Sequence, residues 1–175
     1  MEASTINTLF GIFTLILQVI SVILIVLAFA KKGKVVTSWI QKHALTLSFV
    51  VALGAMMGSL LYSEVIGYAP CTLCWYQRIL IYPQVFLTLI AMTKKFSGEI
   101  FYYIRGLSYI GGVIALYHSI IKMFGAAPFP CSAYAVNGAD CVKQLVIEFG
   151  YINIPMMSFT IFVLLIVLSY YGTKK

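Results

Sequence analysis

The hydrophobic residues of this chain fall into five long runs that short polar segments separate. The runs cover residues 6–30, 44–63, 72–93, 104–124 and 152–171, and each contains 20 to 25 residues. At about 1.5 Å of rise per residue, a helix of this length crosses the roughly 30 Å hydrocarbon core of a bilayer. The runs lack the alternation of barrel strands, and a backbone in lipid must satisfy its own hydrogen bonds. The pattern therefore predicts an all-α membrane bundle with five spanning helices.

Composition supports a lipid environment, since 62% of the residues are hydrophobic and only 10% are charged. A soluble domain carries about 25% charged residues, and one soluble core of this size cannot bury so much apolar surface. The net charge of +7 is compatible with a nucleic-acid ligand. However, the basic residues cluster between apolar runs and not on an aromatic-lined polar face, so we expect membrane lipid and no nucleic acid as a partner.

The distribution of basic residues predicts the orientation of the bundle. Nine of them lie on one side: Lys31, Lys32, Lys34, Lys42, Lys94, Lys95, Arg105, Lys174 and Lys175. The other side has Arg78, Lys122 and Lys143. Because Lys and Arg concentrate on the cytoplasmic side, we expect the N-terminus outside and the C-terminus in the cytoplasm. Ala28-Phe29-Ala30 resembles a signal-peptidase site, but the long run before it contains no basic residue, so a retained first helix is expected.

Four cysteines lie in the segments predicted to be extracytoplasmic, where disulfides form and persist. Cys71 and Cys74 lie between the second and third runs, and Cys131 and Cys141 lie between the fourth and fifth. Four cysteines allow three connectivities, and the sequence alone does not choose among them. Zinc is disfavoured because its ligands usually come as two tight pairs, and haem attachment needs His where Trp75 stands. Disulfides that only brace the loops remain an alternative.

The pair Cys71 and Cys74 opens the third predicted helix, directly after Pro70. The free amides and the positive end of the helix dipole stabilise a thiolate at this position. Arg78 follows Cys74 by four residues, which places a guanidinium on the same face one turn further on. Arg78 is either part of a functional site or an interfacial anchor.

His118 has the same predicted depth as Arg78, because it precedes Gly125 by seven residues and Arg78 follows Cys71 by seven. Both side chains would lie roughly 10 Å inside the outer boundary, where they can flank a small lipid-soluble ligand between helices. A hydrogen bond from His118 to a neighbouring helix is the alternative.

The outer segment 125–151 is expected to be a loop because of its prolines and glycines. Four apolar residues within it share one helical face: Val142, Leu145, Val146 and Phe149. This spacing predicts a short helix on the membrane surface, with ordinary loop packing as the alternative.

The segment PCTLCWYQRILIYPQ, from Pro70 to Gln84, resembles the DsbB/BdbC family of membrane disulfide-bond formation proteins. The resemblance extends to His118, thirteen residues before Cys131, and to Pro155 at the start of the last run. It covers about residues 44–171. It therefore implies two parts: an added N-terminal helix with a basic loop in residues 1–43, and a four-helix domain in residues 44–175.

The resemblance implies a thiol-disulfide oxidoreductase of the bacterial cytoplasmic membrane. It would reoxidise a DsbA-like thioredoxin-fold protein and pass the electrons to a membrane quinone, ubiquinone or menaquinone. The partner would attack a Cys131–Cys141 disulfide and bond to Cys131, and Cys141 and Cys71 would carry the exchange inward. Cys74 would face the quinone, with Arg78 stabilising negative charge on the ring oxygen and His118 as a further candidate for the same pocket.

Two other classes of function stay open at this point. The first is a membrane reductant that sends electrons outward, which needs a cytoplasmic electron source. No cysteine lies in a predicted inner loop or mid-membrane position to receive such electrons. The second is a non-enzymatic subunit whose cysteines only brace its loops.

Overall fold

The computed structural model describes residues 3–30, 33–94, 98–125, 141 and 146–173. These residues form five α-helices: α1 Ala3–Ala30, α2 Lys34–Leu60, α3 Thr72–Lys94, α4 Ile100–Phe124 and α5 Ile154–Thr173. A π-helical turn, Leu61–Val65, extends α2. Within these ranges β pairing is limited to a single bridge between Glu148 and Ile152. The predicted all-α bundle is confirmed.

Four of the helical segments are long and apolar enough to cross a membrane: Ser4–Ala30, Lys34–Val65, Ile100–Phe124 and Ile154–Thr173. The 23-residue α3 has the necessary length but is less apolar, because Gln77, Arg78 and Gln84 lie buried along it. All five predicted helices are thus present. The third, α3, buries its polar side chains Gln77, Arg78 and Gln84 inside the bundle.

The second helix begins earlier than the apolar pattern predicts. The run starts at residue 44, but α2 starts at Lys34, so the basic segment before the run is helical from there on. Gly33 adopts a left-handed conformation with φ of 73°, and its carbonyl accepts a hydrogen bond from the Thr37 amide at 3.0 Å. The hydropathy pattern marks only the part of a helix that lies in hydrocarbon, whereas backbone hydrogen bonding continues into the polar interface.

The first helix packs against α5 and carries a stripe of buried polar residues. Asn7, Thr14 and Ser21, spaced seven residues apart, are buried on one face of α1. Gln18 donates a hydrogen bond to the Thr160 hydroxyl at 3.1 Å. This hydrogen bond links α1 to α5, and most of the large apolar side chains of α1 are exposed on its outer side.

Small residues bring α4 and α5 into close contact. Gly111 lies against the ring of Phe162, and a Cβ atom at position 111 would overlap that ring. Gly172 lies against Phe101 in the same way near the other end of α5. Close approach through small residues is a common basis of helix association in lipid.

The predicted surface helix is wrong for the part of it that the structure describes. Val146 and Ile147 are not helical, and Phe149 has a φ of 51° next to Gly150 at 81°. Two left-handed residues make a tight turn that pairs Glu148 with Ile152, which interrupts helical hydrogen bonding. Residues 142–145 lie outside the described residues.

Candidate functional site

Cys71 and Cys74 lie at the N-terminus of α3, as the sequence predicts. The Cys71 carbonyl accepts the Trp75 amide at 3.1 Å, which makes Cys71 the N-cap residue of the helix. Both residues are free thiols, and their sulfur atoms are 3.0 Å apart. The pair is therefore close enough to form a disulfide after a small movement, and it lies at the positive end of the helix dipole.

His118 contacts the thiol of Cys71. Its Nε2 lies 3.6 Å from the Cys71 sulfur, and the Gln77 side-chain amide donates a hydrogen bond to its Nδ1 at 3.0 Å. Because Nδ1 accepts, a neutral His118 carries its proton on Nε2 and donates to the sulfur. Gln77 thus selects the tautomer that stabilises a thiolate at Cys71. Sequence reasoning missed Gln77 because its partner is 41 positions away.

The environment of Cys71 favours the charged form of its side chain. A hydrogen bond from Cys74 and a weaker one from His118 lower the pKa of the Cys71 thiol from 9.0 to about 4, although burial acts in the opposite direction. Cys71 is therefore a thiolate at neutral pH. A thiolate is the form that attacks a disulfide, and a low pKa also makes it a good leaving group.

Cys141 lies beside Cys71, although 70 positions separate them in the chain. Its side chain is fully buried and disulfide-bonded. The sulfurs of Cys141 and Cys71 and a ring nitrogen of His118 all lie within 4.8 Å of one another. A disulfide sulfur is not the thiolate that zinc requires, so this arrangement suits thiol-disulfide exchange better than metal binding. Cys131, the other predicted outer cysteine, lies outside the described residues.

Arg78 is buried one turn beyond Cys74 and is held by α2. Its Nε donates to the Ser59 hydroxyl and one terminal nitrogen donates to the Ser59 carbonyl, both at 2.9 Å. The guanidinium carbon also lies 5.3 Å from the centre of the Trp75 ring. These contacts fix the direction of the cation, since a guanidinium presents its donors in a rigid plane. Nothing in the sequence distinguishes Ser59 from other serines.

A cavity of about 360 Å³ adjoins the cysteine pair and Arg78. Most of its wall consists of apolar side chains from α1, α2, α3 and α5. The polar and sulfur-containing side chains in the wall are Thr14, Ser59, Tyr62, Tyr68, Cys71, Cys74, Gln77, Arg78, Lys122, Met157 and Ser158. A largely apolar wall with a few polar groups is typical of a site for a small hydrophobic ligand.

The structure separates two residues that the sequence placed around one ligand. Arg78 lines the cavity, whereas His118 is not among the residues that line it and contacts Cys71 and Gln77 instead. Lys122 was expected only as one of the few basic residues of the outer side. It is buried and lines the cavity one turn beyond His118 on α4.

Comparison with known proteins identifies a family for most of the chain. Residues 41–172 match the family described as "Disulfide bond formation protein DsbB". The chain is 40% identical over 123 residues to the probable disulfide formation protein C of Halalkalibacterium halodurans, covering 70% of this chain and 87% of that protein. It is 39% identical over 129 residues to the SPbeta prophage-derived disulfide bond formation protein B of Bacillus subtilis, covering 74% and 84%.

A further relative is the disulfide bond formation protein C of Bacillus subtilis, which is 40% identical over 122 residues, covering 69% of this chain and 85% of that protein. No solved structure matches the chain. Helix α1 lies before the matched residues 41–172. The matched region contains the CxxC pair at the start of α3, the buried Arg78 and the Cys141 disulfide described above. The chain is an integral membrane protein of the DsbB family of disulfide bond formation proteins.

Proposed function

We propose that this protein reoxidises a DsbA-like thioredoxin-fold protein outside the cytoplasm and passes the electrons to a membrane quinone. One observation carries the proposal: the Cys71 thiol lies within 4.8 Å of a disulfide-bonded sulfur, that of Cys141. Cys71 and its partner Cys74 also line an apolar cavity. The cysteines therefore link a disulfide on one side to a hydrophobic binding site on the other.

The proposed cycle starts when a thiolate of the reduced partner attacks Cys131 in a Cys131–Cys141 disulfide. A mixed disulfide forms at Cys131, and Cys141 leaves as a thiolate. Cys141 then attacks Cys71 of an oxidised Cys71–Cys74 pair, so that Cys74 leaves as a thiolate. The transient Cys71–Cys141 disulfide requires only a short approach of the two sulfurs.

The second half of the cycle restores the outer disulfide. The second thiolate of the partner attacks the partner's own sulfur in the mixed disulfide. The partner leaves in its oxidised form, and Cys131 is released as a thiolate. Cys131 then attacks Cys141 and displaces Cys71 as a thiolate, which suits its lowered pKa of about 4. Two electrons have then moved from the partner to Cys71 and Cys74. Free thiols at these positions and a disulfide at Cys141 are the state that the structure holds.

The cavity residues fit a quinone. The apolar wall suits a ring with a hydrocarbon tail, and the volume of about 360 Å³ lies in the range of small-molecule sites. Arg78 presents a fixed cation to the carbonyl oxygens of the quinone. Cys74, four residues before Arg78 in the chain, contributes a sulfur atom to the same wall. A bound quinone, ubiquinone or menaquinone, supplies a two-electron acceptor. We assign His118 to the Cys71 thiolate, because its contacts are with Cys71 and Gln77.

The orientation of the bundle follows from the same chemistry. Disulfides persist outside the bacterial cytoplasmic membrane, so we assign the cysteine end of the helices to the extracytoplasmic side. The basic residues near Gly33 and Gly98 then face the cytoplasm, in keeping with the positive-inside rule. This orientation has the N-terminus outside and the C-terminus inside.

A reconstituted assay tests the proposal. The protein in lipid is mixed with a quinone and a reduced thioredoxin-fold partner, and quinone absorbance is followed. We expect turnover by the wild type and none by Cys74→Ser or Cys141→Ser. Mixed instead with the oxidised partner, Cys141→Ser should still form a mixed disulfide at Cys131, because the Cys131 thiolate attacks the partner's disulfide and one partner sulfur leaves as a thiolate. Turnover by Cys141→Ser at the rate of the wild type would refute the proposed route. Cysteines whose oxidation state never changes during the assay would also refute it, and would mean that the disulfides only brace the loops.

A further inference from the structure

Tyr62 belongs to the wall of the cavity, and its buried hydroxyl has no hydrogen-bond partner among the described residues. The residue lies in the π-helical turn Leu61–Val65, and only 6% of its surface is exposed. Its hydroxyl is buried and makes no hydrogen bond with any described residue. A buried hydroxyl without a partner is unfavourable, and π-helical turns occur frequently at functional sites. The observation points to a ligand atom as the missing acceptor.

The ring of Tyr62 is held from two sides. The Phe10 ring of α1 lies 5.3 Å away at an angle of 54°, and the Tyr68 ring lies 6.0 Å away and is stacked. The Tyr68 amide also donates to the Tyr62 carbonyl at 2.9 Å. Gly58 leaves the space that Phe10 occupies, since a Cβ at position 58 would lie 3.0 Å from the Phe10 ring. The hydroxyl is therefore in a fixed position.

We propose that Tyr62 donates a hydrogen bond to a carbonyl oxygen of the quinone, and that Phe10 of the added helix positions the Tyr62 ring. The inference rests on the proposed function. A quinone carbonyl accepts hydrogen bonds and cannot donate them, so it matches a phenol whose proton has no acceptor within the part of the chain that the structure describes. Arg78 is a second donor in the same cavity wall. Helix α1 lies outside the family match and contributes Phe10, Phe13, Thr14 and Leu17 to this wall.

The test measures quinone binding, not turnover alone. A short-chain quinone is titrated into the protein in lipid nanodiscs, and binding is followed by quenching of tryptophan fluorescence. Tyr62→Phe removes only the hydroxyl, and we expect a Kd about three- to tenfold weaker, as for the loss of one neutral hydrogen bond. Tyr103→Phe is the matched control, because Tyr103 is 66% exposed on α4 and does not line the cavity. Its Kd should equal that of the wild type.

The role of Phe10 is tested by a double-mutant cycle. Phe10→Ala should weaken binding, whereas Leu9→Ala should not, since Leu9 is 61% exposed and does not line this cavity. If Phe10 acts by positioning Tyr62, the effect of Phe10→Ala shrinks in the Tyr62→Phe background. Additive effects would overturn the role of Phe10.

The outcomes separate this inference from the proposed function. An unchanged Kd in Tyr62→Phe overturns the inference while the proposed function stands. A wild type that neither binds nor reduces any quinone refutes both. A carbonyl of a membrane lipid could also accept from Tyr62, so the titration is repeated in ether-linked lipid, which lacks ester carbonyls. The loss in Tyr62→Phe should persist there; its disappearance would assign the hydroxyl to lipid and overturn the inference.

Discussion

The lowered pKa of Cys71 gives the sharpest test of the site, because its largest cause is a single hydrogen bond from Cys74. Cys74→Ala removes this donor, and Cys74→Ser replaces it with a hydroxyl donor. In both variants Cys71 is the one thiol left in the inner pair, and Cys141 stays in its disulfide. The comparison therefore isolates the hydrogen bond from other changes at position 74.

The size of the effect follows from the charge on the acceptor. A hydrogen bond to a charged group is worth about 1.5–3 kcal/mol, and one pKa unit corresponds to about 1.36 kcal/mol. Cys74→Ala should therefore raise the pKa of Cys71 by about one to two units above its value of about 4, whereas Cys74→Ser should leave it near 4. The thiolate forms above the pKa and is lost as the pH falls through it. Near pH 5, roughly one unit above the lower value, Cys71 is expected to be mostly thiolate in Cys74→Ser and at least half thiol in Cys74→Ala.

Thiolate absorbance in the ultraviolet, followed during an acid titration in lipid nanodiscs, measures these midpoints. A thiol reagent first confirms one free thiol per chain in each variant. His118→Ala in the Cys74→Ser background should raise the midpoint as well, because the Nε2 donor 3.6 Å from the sulfur is lost. Equal midpoints in Cys74→Ala and Cys74→Ser would show that the hydrogen bond is not the main cause. Midpoints near 9.0, the ordinary pKa of the thiol, would refute the whole account.

Two further predictions concern ligand binding and stability. Arg78→Lys keeps the charge but cannot bond the hydroxyl and carbonyl of Ser59 together, so we expect about a tenfold higher KM for quinone with unchanged mixed-disulfide formation. Arg105 makes the same two hydrogen bonds, to the hydroxyl and carbonyl of Ser169, at the opposite end of the bundle. A similar increase of the quinone KM in Arg105→Lys would contradict the assignment of Arg78 to the quinone site. Gly111→Ala should destabilise the fold by about 1–3 kcal/mol in denaturant unfolding, because its methyl group meets the Phe162 ring. Gly106→Ala, which meets no atom within 4 Å, is the control, and equal stability of the two variants would refute this packing argument.

Much of the architecture is readable from local features of the chain. Run lengths near 20 residues predict the helices, because the bilayer thickness and the helical rise fix how many apolar residues a span needs. Pro70 and the CxxC pair predict the start of α3, and four-residue spacing places Arg78 one turn beyond Cys74. The early start of α2 was not predicted, since hydropathy does not report where a helix ends outside the hydrocarbon.

The helices, the cysteine end and the family resemblance were thus predictable without a structure, because they depend mainly on residues close together in the chain. Three contacts became known from the packing of the helices alone: Cys141 lies beside Cys71, His118 contacts Cys71 and does not line the cavity, and Phe10 packs on Tyr62. These contacts depend on the rotation and crossing of the helices. In lipid both faces of a helix are apolar, so the hydropathy pattern carries little information about which face meets a neighbour, and close packing and a few polar contacts make that choice.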